Sequence, residues 1–121
     1  MTLNEYQEKA MTTCLPTSEN FSYMMLNLVG EVGEFASKVG KHIRKGKLVI
    51  NNNKLNPTSE AAGLPQEDCE ELQKEAGDIL WQLSGLCTVM GWNFDDIAQQ
   101  NLDKLSSRKK RDVIDGSGDN R

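Results

Sequence analysis

The stretch ENFSYMMLNLVGEVGEFASKVGKHIRK, residues 19–45, decides the fold. Its apolar residues Phe21, Met25, Leu28, Val32, Phe35, Val39 and Ile43 recur at threes and fours, the period of one helical face. The spacing predicts a helix from about Glu19 to Lys45, closed by Gly46. Outward along the chain the pattern returns. Leu72, Ala76, Ile79, Leu83, Leu86 and Met90 keep one apolar face. Pro65 suits the first turn of that helix, Glu67, Asp68, Glu70 and Glu71 complement its N-terminal dipole, and Gly91 ends it.

Two shorter helices flank this pair. Thr2 followed by Glu5 is a capping box, so a first helix runs from about Leu3 to Cys14 and stops before Pro16. Asn93 caps a last one, in which Phe94, Ile97, Ala98, Leu102 and Leu105 form the buried stripe ahead of the basic run Arg108 to Arg111. Between the long helices, Lys47 to Leu64 has no sustained helical period and reads as a loop with a brief extended piece at Leu48 to Ile50. The expected fold class is all-α, a four-helix bundle, with residues 1–111 forming one domain and 112–121 an irregular tail.

A chain of 121 residues fits a single core. Met1 to Ala10 lacks the basic start and apolar run of a secretory signal, and no stretch is long enough to span a bilayer. The expected compartment is the cytoplasm, with no membrane partner. Cys14, Cys69 and Cys87 form no Cys-x-x-Cys pair and have only His42 beside them, so neither a disulfide framework nor a zinc site is expected. His42 reads as a surface residue or a minor phosphate contact. A formal net charge of −4 argues against nucleic acid as a partner, while bases cluster at Lys38 to Lys47 and Lys104 to Arg111, as suits a small polyanion.

The chemistry is carried by acids. At about 100° per residue, Glu31 and Glu34 lie about 60° and 120° to one side of Leu28, on the border of the apolar stripe. Glu75 and Asp78 stand at the same two offsets from Leu72. If the two helices pack by their apolar faces, these four carboxylates converge. Four anions close together raise one another's pKa unless a cation joins them, and all-oxygen ligands favour magnesium, manganese or calcium over zinc. A ferritin-type di-iron plan needs Glu-x-x-His pairs, which the single histidine does not supply.

Three motifs, Glu31-Val-Gly-Glu34, Glu75-Ala-Gly-Asp78-Ile-Leu-Trp81 and Asn101-Leu-Asp-Lys104-Leu-Ser-Ser-Arg108, together resemble the MazG-like group of all-α nucleoside triphosphate pyrophosphohydrolases. The match runs from about Asn20 to Arg108, and the ending Gly116-Ser-Gly-Asp-Asn-Arg121 is also similar to some members. The resemblance implies a homodimer or homotetramer that hydrolyses nucleoside triphosphates to monophosphate and pyrophosphate with Mg2+, for which Mn2+ can substitute. It makes Glu31, Glu34, Glu75 and Asp78 the metal ligands and catalytic carboxylates, and sets Asn101, Lys104 and Arg108 on phosphate or sugar. Those three are spaced for one helix face, and Lys38 continues the acidic edge of Glu31 and Glu34 by one turn as a further substrate-binding cation. The Glu34 to Glu75 interval is longer than in compact members, and the Lys47 to Leu64 loop accounts for it.

Phosphoanhydride hydrolysis asks mainly for positioning and charge compensation. A metal-activated water deprotonated with help from Glu34 or Glu31 would attack the α-phosphorus. Trp92, Asn93 and Phe94 are candidates for contact with the base. Gly77, Ser84, Gly85 and Thr88 leave a small outer surface around Trp81, whose ring is expected at an oligomer interface. Two other readings stay open: a related pyrophosphohydrolase dedicated to dUTP or phosphoribosyl-ATP, and a non-catalytic helical interaction module with a structural cation site.

Overall fold

The computed structural model describes residues 1–59 and 65–120. Helix α1 spans Leu3–Met11, and its capping box closes both ways: the Thr2 hydroxyl accepts from the Glu5 amide and the Glu5 carboxylate from the Thr2 amide, each at 3.0 Å. Helix α2, Phe21–Arg44, begins where the Asn20 side chain accepts from the Tyr23 amide at 2.8 Å. Each such cap contributes about 1 kcal/mol by satisfying an amide the helix itself leaves bare. Gly46, at φ +72°, lets the chain leave α2.

The expected loop is in part a β-hairpin. Strands β1, Leu48–Asn51, and β2, Lys54–Pro57, pair antiparallel with Leu48 opposite Pro57 and Asn51 opposite Lys54. Asn52 and Asn53 turn the corner, both left-handed at φ 52° and 60°. A two-residue turn with positive φ at both positions matches strand twist, and asparagine tolerates that conformation better than other non-glycine residues. The last part of the expected loop, residues 60–64, lies outside the described residues.

Helix α3, Gln66–Val89, starts with Glu67 and Asp68 in its first turn, and α4, Phe94–Lys110, is capped by Asn93. Met24, early in α2, meets Gly85, late in α3, whereas His42, late in α2, meets Asp68, early in α3. The two long helices therefore run antiparallel and form the body of the fold. A Cβ placed on Gly85 would stand 2.3 Å from the Met24 sulfur, so glycine is what allows this approach. Met24, Leu48, Leu72, Cys87 and Phe94 are buried.

Helix α1 buries no residue and docks through polar groups. The Gln7 amide donates to Thr88 Oγ1 and to the Trp92 carbonyl, and accepts from the Phe94 amide. The Trp81 indole donates to the Ala10 carbonyl and to Thr13 Oγ1 at 3.1 and 3.0 Å. This corrects the expectation for Trp81: its ring is engaged by α1 on the same chain. The stripe read as core on α2 is also rotated outward. Phe21, Met25 and Val32 are exposed, beside Leu26 at 74% and Val29 at 62%, while Met24 and His42 turn inward. The four helices and the all-α class are as expected.

Candidate active site

Because α2 and α3 cross with these faces inward, Glu31, Glu75 and Asp78 are brought together. One oxygen of each lies within 4.8 Å of the other two. Glu75 is buried, Glu31 half-buried and Asp78 exposed, so the set opens from the helix interface toward solvent. Burial pushes the Glu31 carboxyl up, and the charges of Asp78, Glu75 and Glu34 push it further, against a smaller opposing effect of Lys38. Glu34 itself is exposed and lies outside the three-residue set. Oxygen donors that repel one another in this way suit a hard divalent cation, which removes the repulsion when it binds.

Lys38 stands at the inner end of the cluster. Its ammonium donates to Glu75 and lies 3.5 Å from Glu71 Oε1. The bond to Glu75 is the largest reason that its pKa is raised. Lys38, expected as a substrate-binding cation, thus pairs with two of the acids of α3. Tyr6 is a neighbour the sequence did not flag: burial and the charge of Asp78 raise its phenol, so α1 delivers a hydroxyl-bearing ring to the rim. A tyrosine inside a short amphipathic helix carries no spacing signal that would have pointed to it.

The expected cationic face of α4 meets the C-terminal segment. Asn101 is exposed, Lys104 Nζ lies 3.2 Å from Asp119 Oδ1, and Arg108 donates to the Gly118 carbonyl and to Asp119 at 3.2 and 3.1 Å. Arg108 is only 4% exposed. Of the candidates for base contact, Phe94 is buried, whereas Trp92 and Asn93 line an open groove with Asp96, Ile97 and Gln100.

The hydrogen bonds from Arg108 and Lys104 hold the Asp119 carboxyl below the usual aspartate range. A depressed carboxyl pKa means that the segment's attachment is fully present above the ordinary value and is lost as pH falls through the folded one. Asp119→Asn is expected to speed tryptic cleavage after Arg108 several-fold at neutral pH. The Gly118 amide resonance of the wild type should titrate below the normal aspartate range, and a normal midpoint would contradict the attachment.

The chain is similar to the Gene 37 protein of Mycobacterium phage L5, with 41% identity over 103 residues that make up 85% of this chain and 78% of that protein. No solved structure matches it. The MazG nucleotide pyrophosphohydrolase domain matches residues 19–113. That span holds α2, α3 and α4 together with Glu31, Glu34, Glu75 and Asp78, and on this match the chain belongs to the MazG nucleotide pyrophosphohydrolase family.

Proposed function

We propose that the protein hydrolyses nucleoside triphosphates to nucleoside monophosphate and pyrophosphate, with magnesium, or manganese in its place, held by Glu31, Glu75 and Asp78. The observation that carries this reading is the meeting of those three carboxylates across α2 and α3, with the Glu31 carboxyl raised by burial and by its neighbours' charges. Glu31, Glu75 and Asp78 would hold that cation, which would supply charge compensation for the triphosphate and lower the pKa of an attacking water. Glu34, exposed and one turn from Glu31, takes that water's proton on a carboxylate oxygen. The water oxygen bonds to the α-phosphorus, the bond from that phosphorus to the bridging oxygen breaks, and pyrophosphate leaves. Lys38 donates to Glu75 and holds its carboxylate in place. Asn101, Lys104 and Arg108 form the phosphate-facing side. In the C-terminal segment, Gly118 and Asp119 are the residues that Lys104 and Arg108 hold.

We also assign the open apolar side of α2 to a homodimer or homotetramer interface. Leu26, Val29 and Val32 form a stripe that water would otherwise cover, and joining two such stripes removes it. Sedimentation at micromolar concentration should show a dimer or larger, and Val29→Asp should shift it toward monomer. Among the described residues no helix is long and apolar enough to cross a membrane.

The test of the reaction is a panel of ribo- and deoxyribonucleoside triphosphates, with and without magnesium, in which pyrophosphate and orthophosphate are assayed separately. Metal-dependent pyrophosphate with matching monophosphate is expected, and it should be lost in Glu34→Gln. Retained turnover in that variant removes Glu34 from the mechanism. Orthophosphate as the product rules out attack at the α-phosphorus. Silence across the panel points to a dedicated nucleotide or to a non-catalytic module.

A further inference from the structure

A second cluster lies one turn beyond Lys38, where the end of α2 meets the start of α3. His42, Asp68 and Glu71 each offer one donor atom within 4.8 Å of the other two. His42, read from the sequence as a surface residue, is 4% exposed. Among the described residues neither of its ring nitrogens has a hydrogen-bond partner. Nε2 lies 3.9 Å from Asp68 Oδ1 and 3.6 Å from Glu71 Oε2, too far for a hydrogen bond to either. A buried imidazole with no partner is costly, and native proteins seldom leave one.

The neighbouring cations sort the carboxylate oxygens. Lys47 Nζ is 3.6 Å from Asp68 Oδ2, and Lys38 Nζ is 3.5 Å from Glu71 Oε1. Each acid therefore gives one oxygen to a lysine and turns the other toward His42 Nε2. Outer partners that fix ligand orientation in this way are a recurrent feature of metal sites. Ligand atoms bound at about 2.0–2.2 Å around a tetrahedral ion stand roughly 3.3–3.6 Å from one another. The observed nitrogen-to-oxygen separations need only a small inward movement of the Asp68 side chain to meet that spacing.

We propose that His42, Asp68 and Glu71 form a binding site for a first-row transition dication of the zinc type, separate from the all-carboxylate set at Glu31, Glu75 and Asp78. The donor chemistry decides the class. Imidazole suits zinc, cobalt, nickel or iron, whereas magnesium prefers oxygen alone and keeps its waters. The sequence expectation of no zinc site considered the cysteines, and here the donors are two carboxylates and the single histidine. The site ties the end of α2 to the first turn of α3 and stands independently of the reaction proposed above.

The probe is the metal alone. Cobalt(II) titrated into the full chain should give visible d–d absorption saturating at one equivalent per chain, and zinc(II) should abolish it. The absorption should survive in Glu31→Gln/Asp78→Asn. It should weaken at least tenfold in apparent affinity in Asp68→Asn and disappear in His42→Gln. Because His42 is the only histidine, its ring nitrogen resonances in the wild type report zinc without any substitution, and Nε2 should shift on addition of one equivalent. Absorption that is lost in the Glu31/Asp78 variant and kept in His42→Gln overturns the proposal. So does an imidazole resonance indifferent to zinc, which decides the matter even if His42→Gln does not fold.

Discussion

Replacing Glu31 by Gln is expected to move activity and stability in opposite directions. Pyrophosphate release should fall on the order of a hundred- to a thousandfold, because a charge that holds the metal and compensates the transition state is gone. The melting temperature of the metal-free protein should nevertheless rise. The Glu31 carboxyl is raised by burial and by the charges of Asp78, Glu75 and Glu34. A raised acid means the folded chain binds the proton more tightly than the unfolded chain does. Stability therefore falls as pH climbs from the ordinary glutamate value through the folded one, and above the folded value the full cost is present. The neutral amide removes that cost and can donate to a neighbouring carboxylate. Magnesium should stabilise the wild type and leave the variant almost unmoved. Melting curves in a chelator and in magnesium give both readings, and a variant less stable than wild type in the chelator would refute the electrostatic argument.

The second large effect concerns the contact that lets α2 approach α3. Met24→Ala is expected to cost about 2–5 kcal/mol, since its fully buried thioether fills the space over Gly85 and the helices cannot collapse to replace it. Gly85→Ala alone is opposed by about 1–3 kcal/mol of overpacking, offset by up to about 1 kcal/mol of helix propensity. In the double variant the new methyl enters the space left by the sulfur. The two changes should therefore be less damaging together than their sum, by about 1–2 kcal/mol. Denaturant titration of the four proteins in the cycle measures that coupling. Additivity would mean that Met24 and Gly85 do not share the space the structure gives them.

Much of this architecture could be read from spacing. The capping box at Thr2, the caps at Asn20 and Asn93, and the stops at Gly46 and Gly91 are local chemistry, fixed by a few adjacent atoms. So the helices were legible. Glu31, Glu75 and Asp78 were legible because i, i+3 offsets on two helices share a phase. What spacing could not supply is which side of an amphipathic helix meets its own chain. The seven-residue stripe of α2 is a true apolar face, yet only part of it turns inward, since a second surface of the same helix carries Met24 and His42 to α3. Periodicity locates apolar residues and is silent on what covers them. The hairpin escaped because three successive asparagines resemble loop composition, and only their left-handed backbone angles reveal the turn. The partners of Lys38 and Arg108 were not legible for a related reason: long cations settle on whichever carboxylate or carbonyl is nearest in space.

Helix α1 gives the protein a built-in optical gauge. It is held on α3 by amides, an indole and hydroxyls, with no residue of its own buried, so it can come away as a unit far below the free energy of global unfolding. One of the two tryptophans, Trp81, is tied to the last turn of α1, while Trp92 is exposed. Quenching by iodide or acrylamide should therefore separate an accessible indole from a sheltered one, and release of α1 would expose the second. Because Tyr6 travels with that helix toward Asp78, the same emission change would register the rim of the acidic cluster opening and closing in unlabelled protein.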